Sequence, residues 1–173
     1  RNLERMRIPN EFRGFSRKRG CDLYVTACDL DTAERETFGP DERNDITISE
    51  AVQASTALPL FYKPARIKGV DYVDGGVRRT ANIDLAIEKG CDLIICYNPF
   101  RPFLNRIDAE GGDTPYFANG RYLADRGMKM VLNQVFRTLL HSRLKLGLQR
   151  YLTDDRFQGD ILLLEPRERD TEF

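Results

Sequence analysis

Apolar positions change their spacing several times along this chain, and each change predicts an element. The β-rich run Leu23–Cys28 predicts a strand. A polar turn at Asp31–Arg35 and a short return strand at Glu36–Phe38 make it the first arm of a hairpin. In "TISEAVQASTALP", Ser49 reads as an N-cap, and Ala51, Val52, Ala54 and Ser55 form a short helix of small residues that Pro59 stops. Arg66–Ile67, a turn at Lys68-Gly69 and the return Val70–Val73 read as a tight hairpin. Ile83, Ala86 and Ile87 share a helical face, with Gly90 as the C-cap. Asp92–Tyr97 is then a nearly continuous apolar strand, as in a sheet buried on both faces. Residues 99–119 read as a long irregular loop. Residues 121–152 read as a long amphipathic helix, with its stripe running from Met128 through Val131, Leu132, Val135, Leu139 and Leu144 to Leu152. "GDILLLEP" closes with another buried strand. Strand, helix and strand alternate, which predicts a mixed α/β sheet covered by helices.

Length and charge narrow the partners. A chain of 173 residues holds one domain with a sizeable core, taken here as residues 1–173. Lys+Arg and Asp+Glu stand at 27 each, so no bulk electrostatic binding to nucleic acid is expected. The apolar runs are too short to span a bilayer. The first twenty residues form a basic arm: Arg1, Arg5, Arg7, Arg13, Arg17, Lys18 and Arg19 face only Glu4 and Glu11. Such an arm is either a solvated face or linker, or a contact for phosphate or anionic lipid. The long helix, an apolar stripe with basic flanks, reads as a sheet-covering helix or as a peripheral membrane contact.

Four cysteines, Cys21, Cys28, Cys91 and Cys96, form no C-x-x-C pair, and the one histidine, His141, is distant from them in sequence. Neither a metal site nor a cofactor is expected. Cys28 and Cys96 read as small buried hydrophobes, and reduced thiols in a cytoplasmic compartment are the default expectation. His141 reads as a lone surface histidine. No P-loop, G-x-G-x-x-G or G-x-S-x-G occurs, since the serines Ser16, Ser49, Ser55 and Ser142 lack those flanks.

The chemistry that remains lies in "VDYVDGGVRRT". Asp74 ends an apolar run, and Gly75 and Gly76 follow it. A carboxylate at a strand end faces the crevice where α/β sheets bind ligands. Two glycines permit positive φ or the close approach of another backbone, and exposed turn amides hold a carboxylate ionised. A general base needs that fixed position and that charge state. On these residues alone a plain structural turn remains the default reading. Arg78 and Arg79, just beyond, read either as exposed turn charges or as attractors for a phospholipid head group.

Three stretches in order change that balance: "LYVTACDLDTAERETFG", "ISEAVQASTALPLFYKPARIKGVDYVDGGV" and "NIDLAIEKGCDLIICYNP". Together they resemble the C-terminal half of the patatin-like phospholipase family, closely over Leu23–Tyr97 and more loosely at Ile161–Glu165. The resemblance implies a mainly parallel sheet covered by helices, incomplete in this chain. It implies lipid acyl hydrolysis by a serine–aspartate dyad, with Asp74 as the general base and Gly75 and Gly76 completing its motif. The family's serine elbow and glycine-rich oxyanion loop have no counterpart here. Thr80 and Asn82 stand where the family often shows Asn and Pro.

The expected function is therefore part of a patatin-like lipid acyl hydrolase acting on an acyl lipid or phospholipid. The N-terminal half of the same domain would lie outside this chain, which opens at Arg1 rather than Met. The chain alone is expected to be inactive. The alternative is a non-catalytic lipid- or partner-binding module that keeps the fold.

Overall fold

The computed structural model describes residues 8–59, 61–79, 81–104, 122–152 and 157–166, which fall into two compact units, Arg1–Asn82 and Ile83–Phe173. In the first unit, helix α1 (Phe12–Arg19) precedes β1 (Val25–Asp29), β2 (Arg35–Phe38), α2 (Ile48–Ser55), β3 (Ala65–Ile67) and β4 (Val70–Asp74). A 3-10 turn, Gly75–Val77, follows β4. The sheet order is β2-β1-β4-β3, and every pairing in it is antiparallel. This departs from a mainly parallel sheet for a local reason. Two of the three pairings are hairpins, and their connections are far too short for the crossover that a parallel pair needs.

Both hairpins are built by their turn chemistry. Lys68 and Gly69 have φ of 50° and 84°, the doubly left-handed two-residue loop that matches strand twist. In the β1–β2 turn, Asp29 Oδ1 accepts the amides of Asp31 (2.9 Å) and Thr32 (3.3 Å), and Ala33 turns left-handed. That is the structural role of the acid in "CDLDT".

Helix α2 starts at Thr47 rather than Ser49. Thr47 and Glu50 form a reciprocal capping box: Oγ1 accepts the Glu50 amide (3.2 Å) and Glu50 Oε2 accepts the Thr47 amide (2.7 Å). Ser49 sits in the first turn, where its amide and hydroxyl both donate to Asn10 Oδ1 at 2.9 Å. The helix ends at Ser55, ahead of Pro59. Its Ala51 and Ala54 are fully buried, the close packing against the sheet that small residues allow. Around them Phe12, Phe38, Ile46, Ile67 and Tyr72 fill the core, with the Phe38 and Tyr72 rings edge to face at 5.8 Å. Arg43 tops this cluster, donating to the Tyr72 hydroxyl (2.7 Å) and to Asp45 (2.9 Å).

Part of the basic arm is thus α1, anchored by the buried Phe12. Its cations Arg17, Lys18 and Arg19 occupy the last turn, where the helix dipole favours them. Residues 1–7, with Arg1, Arg5 and Arg7, lie outside the described residues.

The second unit holds α3 (Ile83–Glu88), β5 (Leu93–Tyr97), a 3-10 turn (Leu123–Arg126), α4 (Met128–Leu152) and β6 (Asp160–Leu164). Strands β5 and β6 pair in parallel, from Leu93↔Asp160 to Tyr97↔Leu164. Ile83, Ile94, Cys96 and Leu144 are its buried centre, with Ala86, Ile87, Leu148, Tyr151, Ile161 and Leu163 against it. The expected two-sided burial of β5 is not found. Leu93, Ile95 and Tyr97 are 59%, 61% and 59% exposed, because α3 and α4 cover one face only and nothing described covers the other.

Helix α4 starts at Met128, after Gly127 turns left-handed, and position 121 lies outside the described residues. Its expected single stripe resolves into two. Leu140 and Leu144 are buried, whereas Met128, Leu132, Val135, Leu139 and Leu146 are exposed. Of the expected loop at 99–119, residues 105–119 lie outside the described residues. Its start is held to α4: Gln134 bonds both backbone groups of Phe103 (3.0 and 2.7 Å), and the Arg137 guanidinium lies over the Phe103 ring at 4.4 Å.

Candidate active site

Asp74 is the last residue of β4 and pairs with Ala27 of β1. Its amide donates to the carbonyl of Ala57, just beyond α2, at 3.1 Å. Backbone bonds on two sides therefore set where its side chain starts. The carboxylate caps the 3-10 turn that follows, Oδ1 accepting the Gly76 amide at 2.7 Å. Oδ2 has no hydrogen-bond partner among the described residues. Burial pushes the Asp74 carboxyl above its ordinary range, and the Gly76 amide pulls only partly against it. The result is an oriented carboxylate with one oxygen held and one unbonded, at raised basicity.

The two glycines are explained by space, not by φ. Neither has positive φ. A Cβ on Gly75 would lie 2.6 Å from the Thr26 carbonyl oxygen and 2.5 Å from its hydroxyl, distances no side chain tolerates. On Gly76 it would meet the Asp74 carboxylate oxygen at 2.9 Å. Gly75 is therefore required for the turn to sit on β1, and Gly76 for the carboxylate to fold over its amide.

Two supporting residues escape a reading of the motif alone. Thr26, buried in β1, accepts a 2.8 Å hydrogen bond at Oγ1 from Asn82 Nδ2. Asn82 and Ala81 both lie in the left-handed region, with φ of 48° and 67°. Asn, whose short amide tolerates that region, ties the end of the motif loop back to β1. A hydroxyl inside the apolar run "YVTAC" is the one sequence signal for it. Thr80 lies outside the described residues. Arg78 pairs with Glu34 at 3.5 Å, an internal partner for a cation that the sequence offered to a head group.

The other polar cluster belongs to the second unit. His141 is not a lone surface residue: Nδ1 lies 3.1 Å from Glu165 Oε1, and Lys145 lies 3.4 Å from Oε2. Asn98 donates to the same Oε1 at 2.8 Å. Burial raises the Glu165 carboxyl, but the Asn98 bond and the charges of His141 and Lys145 outweigh it, so it lies below its usual range. This knot joins the C-terminal ends of β5 and β6 to α4. Cys28 and Cys96 are buried free thiols, both shifted up by burial, as small core residues should be.

The family model described as Patatin-like phospholipase matches residues 1–87, which is half of the chain and includes the whole Asp74 turn. The chain belongs to the patatin-like phospholipase family. The match covers the N-terminal part of this chain, taking in the basic arm. It stops short of Tyr97, and the looser likeness at Ile161–Glu165 falls outside it. A patatin-like phospholipase match supports a lipid-hydrolase type of domain with lipid substrates. The mixed α/β content of the structure is compatible with it.

Proposed function

We propose that this chain is part of a patatin-like acyl-lipid hydrolase in which Asp74 is the general base of a serine–aspartate dyad. The serine and the oxyanion donors would come from sequence outside this chain. The supporting observation is the Asp74 turn, where one carboxylate oxygen is held by the Gly76 amide and the other is unbonded among the described residues. In the reaction Oδ2 takes the serine proton as the hydroxyl attacks the ester carbonyl. The tetrahedral intermediate collapses to an acyl-enzyme, and Asp74 returns the proton to the leaving alcohol. Water, deprotonated by the same carboxylate, then releases the fatty acid.

The exposed apolar face of the β5–β6 sheet supports the same reading, since parallel strands are normally covered on both sides. The rest of the domain would supply that cover. Asp74→Asn in the intact protein tests the proposal, with Asp71→Asn on the same strand as control, because the Asp71 carboxylate, among the described residues, bonds Arg66. Asp74→Asn is expected to lower esterase turnover by about a hundred-fold or more with a melting temperature at or slightly above the parent's, and Asp71→Asn to leave turnover near normal. Retained activity in Asp74→Asn would make the turn purely structural.

A further inference from the structure

Helix α4 is apolar on two opposite faces. At about 100° per residue, Leu140, Leu144, Leu148 and Tyr151 fall on one face, which packs into the core of its unit. Met128, Leu132, Val135, Leu139 and Leu146 fall on the other and are 38% to 69% exposed. Their steps alternate between four and three, with Ser142 filling the one gap, so the stripe runs straight along the helix for about 27 Å. One apolar face suffices to hold a helix to a sheet. The second stripe is therefore unexplained by the packing of its own unit.

Charge selects what the stripe meets. From Met128 to Leu152 there are five Lys or Arg residues and no Asp or Glu. Arg137 lies on the inner side, over Phe103. Lys129, Arg143 and Arg150 flank the stripe on one side, and Lys145, which also pairs with Glu165, flanks it on the other. Two copies laid stripe to stripe would set basic rows against each other, with no acid on either helix to compensate. A crossing segment is also out, since no described helix is long and apolar enough to cross a membrane. A basic helix without acids suits an anionic surface, which also takes up the apolar side chains.

We propose that this outer face of α4 docks on an anionic phospholipid surface. Met128, Leu132, Val135, Leu139 and Leu146 enter the acyl boundary, and the flanking cations lie among the head groups. Asp74 is not among the residues of the docking face, so Asp74→Asn should bind vesicles as the parent does. Failure of docking thus leaves the hydrolase reading standing, and the reverse also holds.

Co-sedimentation of the 173-residue chain with phosphatidylglycerol-containing and pure phosphatidylcholine vesicles tests it. Binding to the anionic vesicles should exceed neutral binding by roughly ten-fold at low salt and fade at high salt. The Leu139→Glu/Leu146→Glu variant should lose roughly ten-fold or more, with the melting temperature of the parent. Lys129→Gln/Arg143→Gln keeps every apolar residue and should lose roughly ten-fold, which keeps the test decisive if the apolar variant misfolds. Equal binding to both vesicle types would overturn the proposal, as would variants that bind like the parent. So would a dimer that Leu139→Glu dissolves in a chain that ignores vesicles, since the face would then belong to a second copy.

Discussion

The two units of this chain solve the same problem differently. In residues 1–82, four short antiparallel strands and a small-residue helix enclose a core in which Ala27, Phe38, Ala51 and Ala54 are wholly buried. In residues 83–173, two parallel strands carry alternating residues of which every second one, Leu93, Ile95, Tyr97, Leu162 and Leu164, stands exposed. Hairpins close locally, so the first sheet needs only its own neighbours and one covering helix. A parallel pair needs a long crossover and cover on both faces, and here α3 and α4 supply one. The carboxylate of the proposed chemistry sits on the better-packed unit, where its surroundings hold it still. Most of the large exposed apolar side chains among the described residues sit on the other.

The contrast can be broken by substitution. Phe38→Ala empties the centre of the first core and should cost about 3–5 kcal/mol, enough to unfold that unit in a thermal melt. A loss below about 1 kcal/mol would mean that the core is looser than its burial indicates.

Gly75→Ala should come next, at about 2–3 kcal/mol, since the Thr26 carbonyl is backbone and cannot swing away. A φ-based role for Gly75 predicts nothing here, so full stability in Gly75→Ala would refute the close-approach explanation.

A finer test compares neighbours on β5. Ile94→Ala should cost about 2–4 kcal/mol, whereas Ile95→Ala should cost well under 1 kcal/mol in this chain. In the intact protein Ile95→Ala should become as harmful as Ile94→Ala if the outer face is covered there. Denaturant melts of the four samples decide. Equal costs in the isolated chain would show that both faces of β5 are already buried.

The smallest expected effects are in pH dependence, and the two carboxylates differ in sign. Lys68 and Arg43 hold Asp45 down, to a pKa of about 2. Its contribution is present above the unfolded value near 4 and is lost as pH falls toward about 2. Asp74 is shifted up, so its folded form prefers the proton. Its contribution is present below the unfolded value and is lost as pH rises through the folded one. Asp74→Asn should therefore melt at or slightly above the parent at neutral pH, and Asp45→Asn slightly below it. With Asp74 as the proposed base, the acid limb of an esterase rate profile of the intact protein should lie above the ordinary carboxylate range. A melting temperature for Asp74→Asn well below that of the parent would mean that its charge is stabilised rather than penalised.

Much was legible in the residues because it rests on local physics. The Lys68-Gly69 turn, the Gly90 cap and the return strand into Asp74 each follow from a few neighbouring φ preferences and an alternating pattern. The helix at 48–55 is legible too, and so is its cap: Thr47 with Glu50 three residues on is the capping-box pattern, whereas Ser49, two residues later, bonds Asn10 instead. Even the placement of Asp74 at a strand end was in the sequence by itself. What only the tertiary structure decided is everything that depends on a partner far along the chain. Gly75 is needed because β1 brings the Thr26 carbonyl against it, and Asn82 is held because the same residue offers its hydroxyl. His141 meets Glu165 because α4 returns along β6. The stripe on α4 and the run on β5 each read as one buried surface, because hydrophobicity records that a side chain prefers to leave water and not which neighbour arrives to cover it.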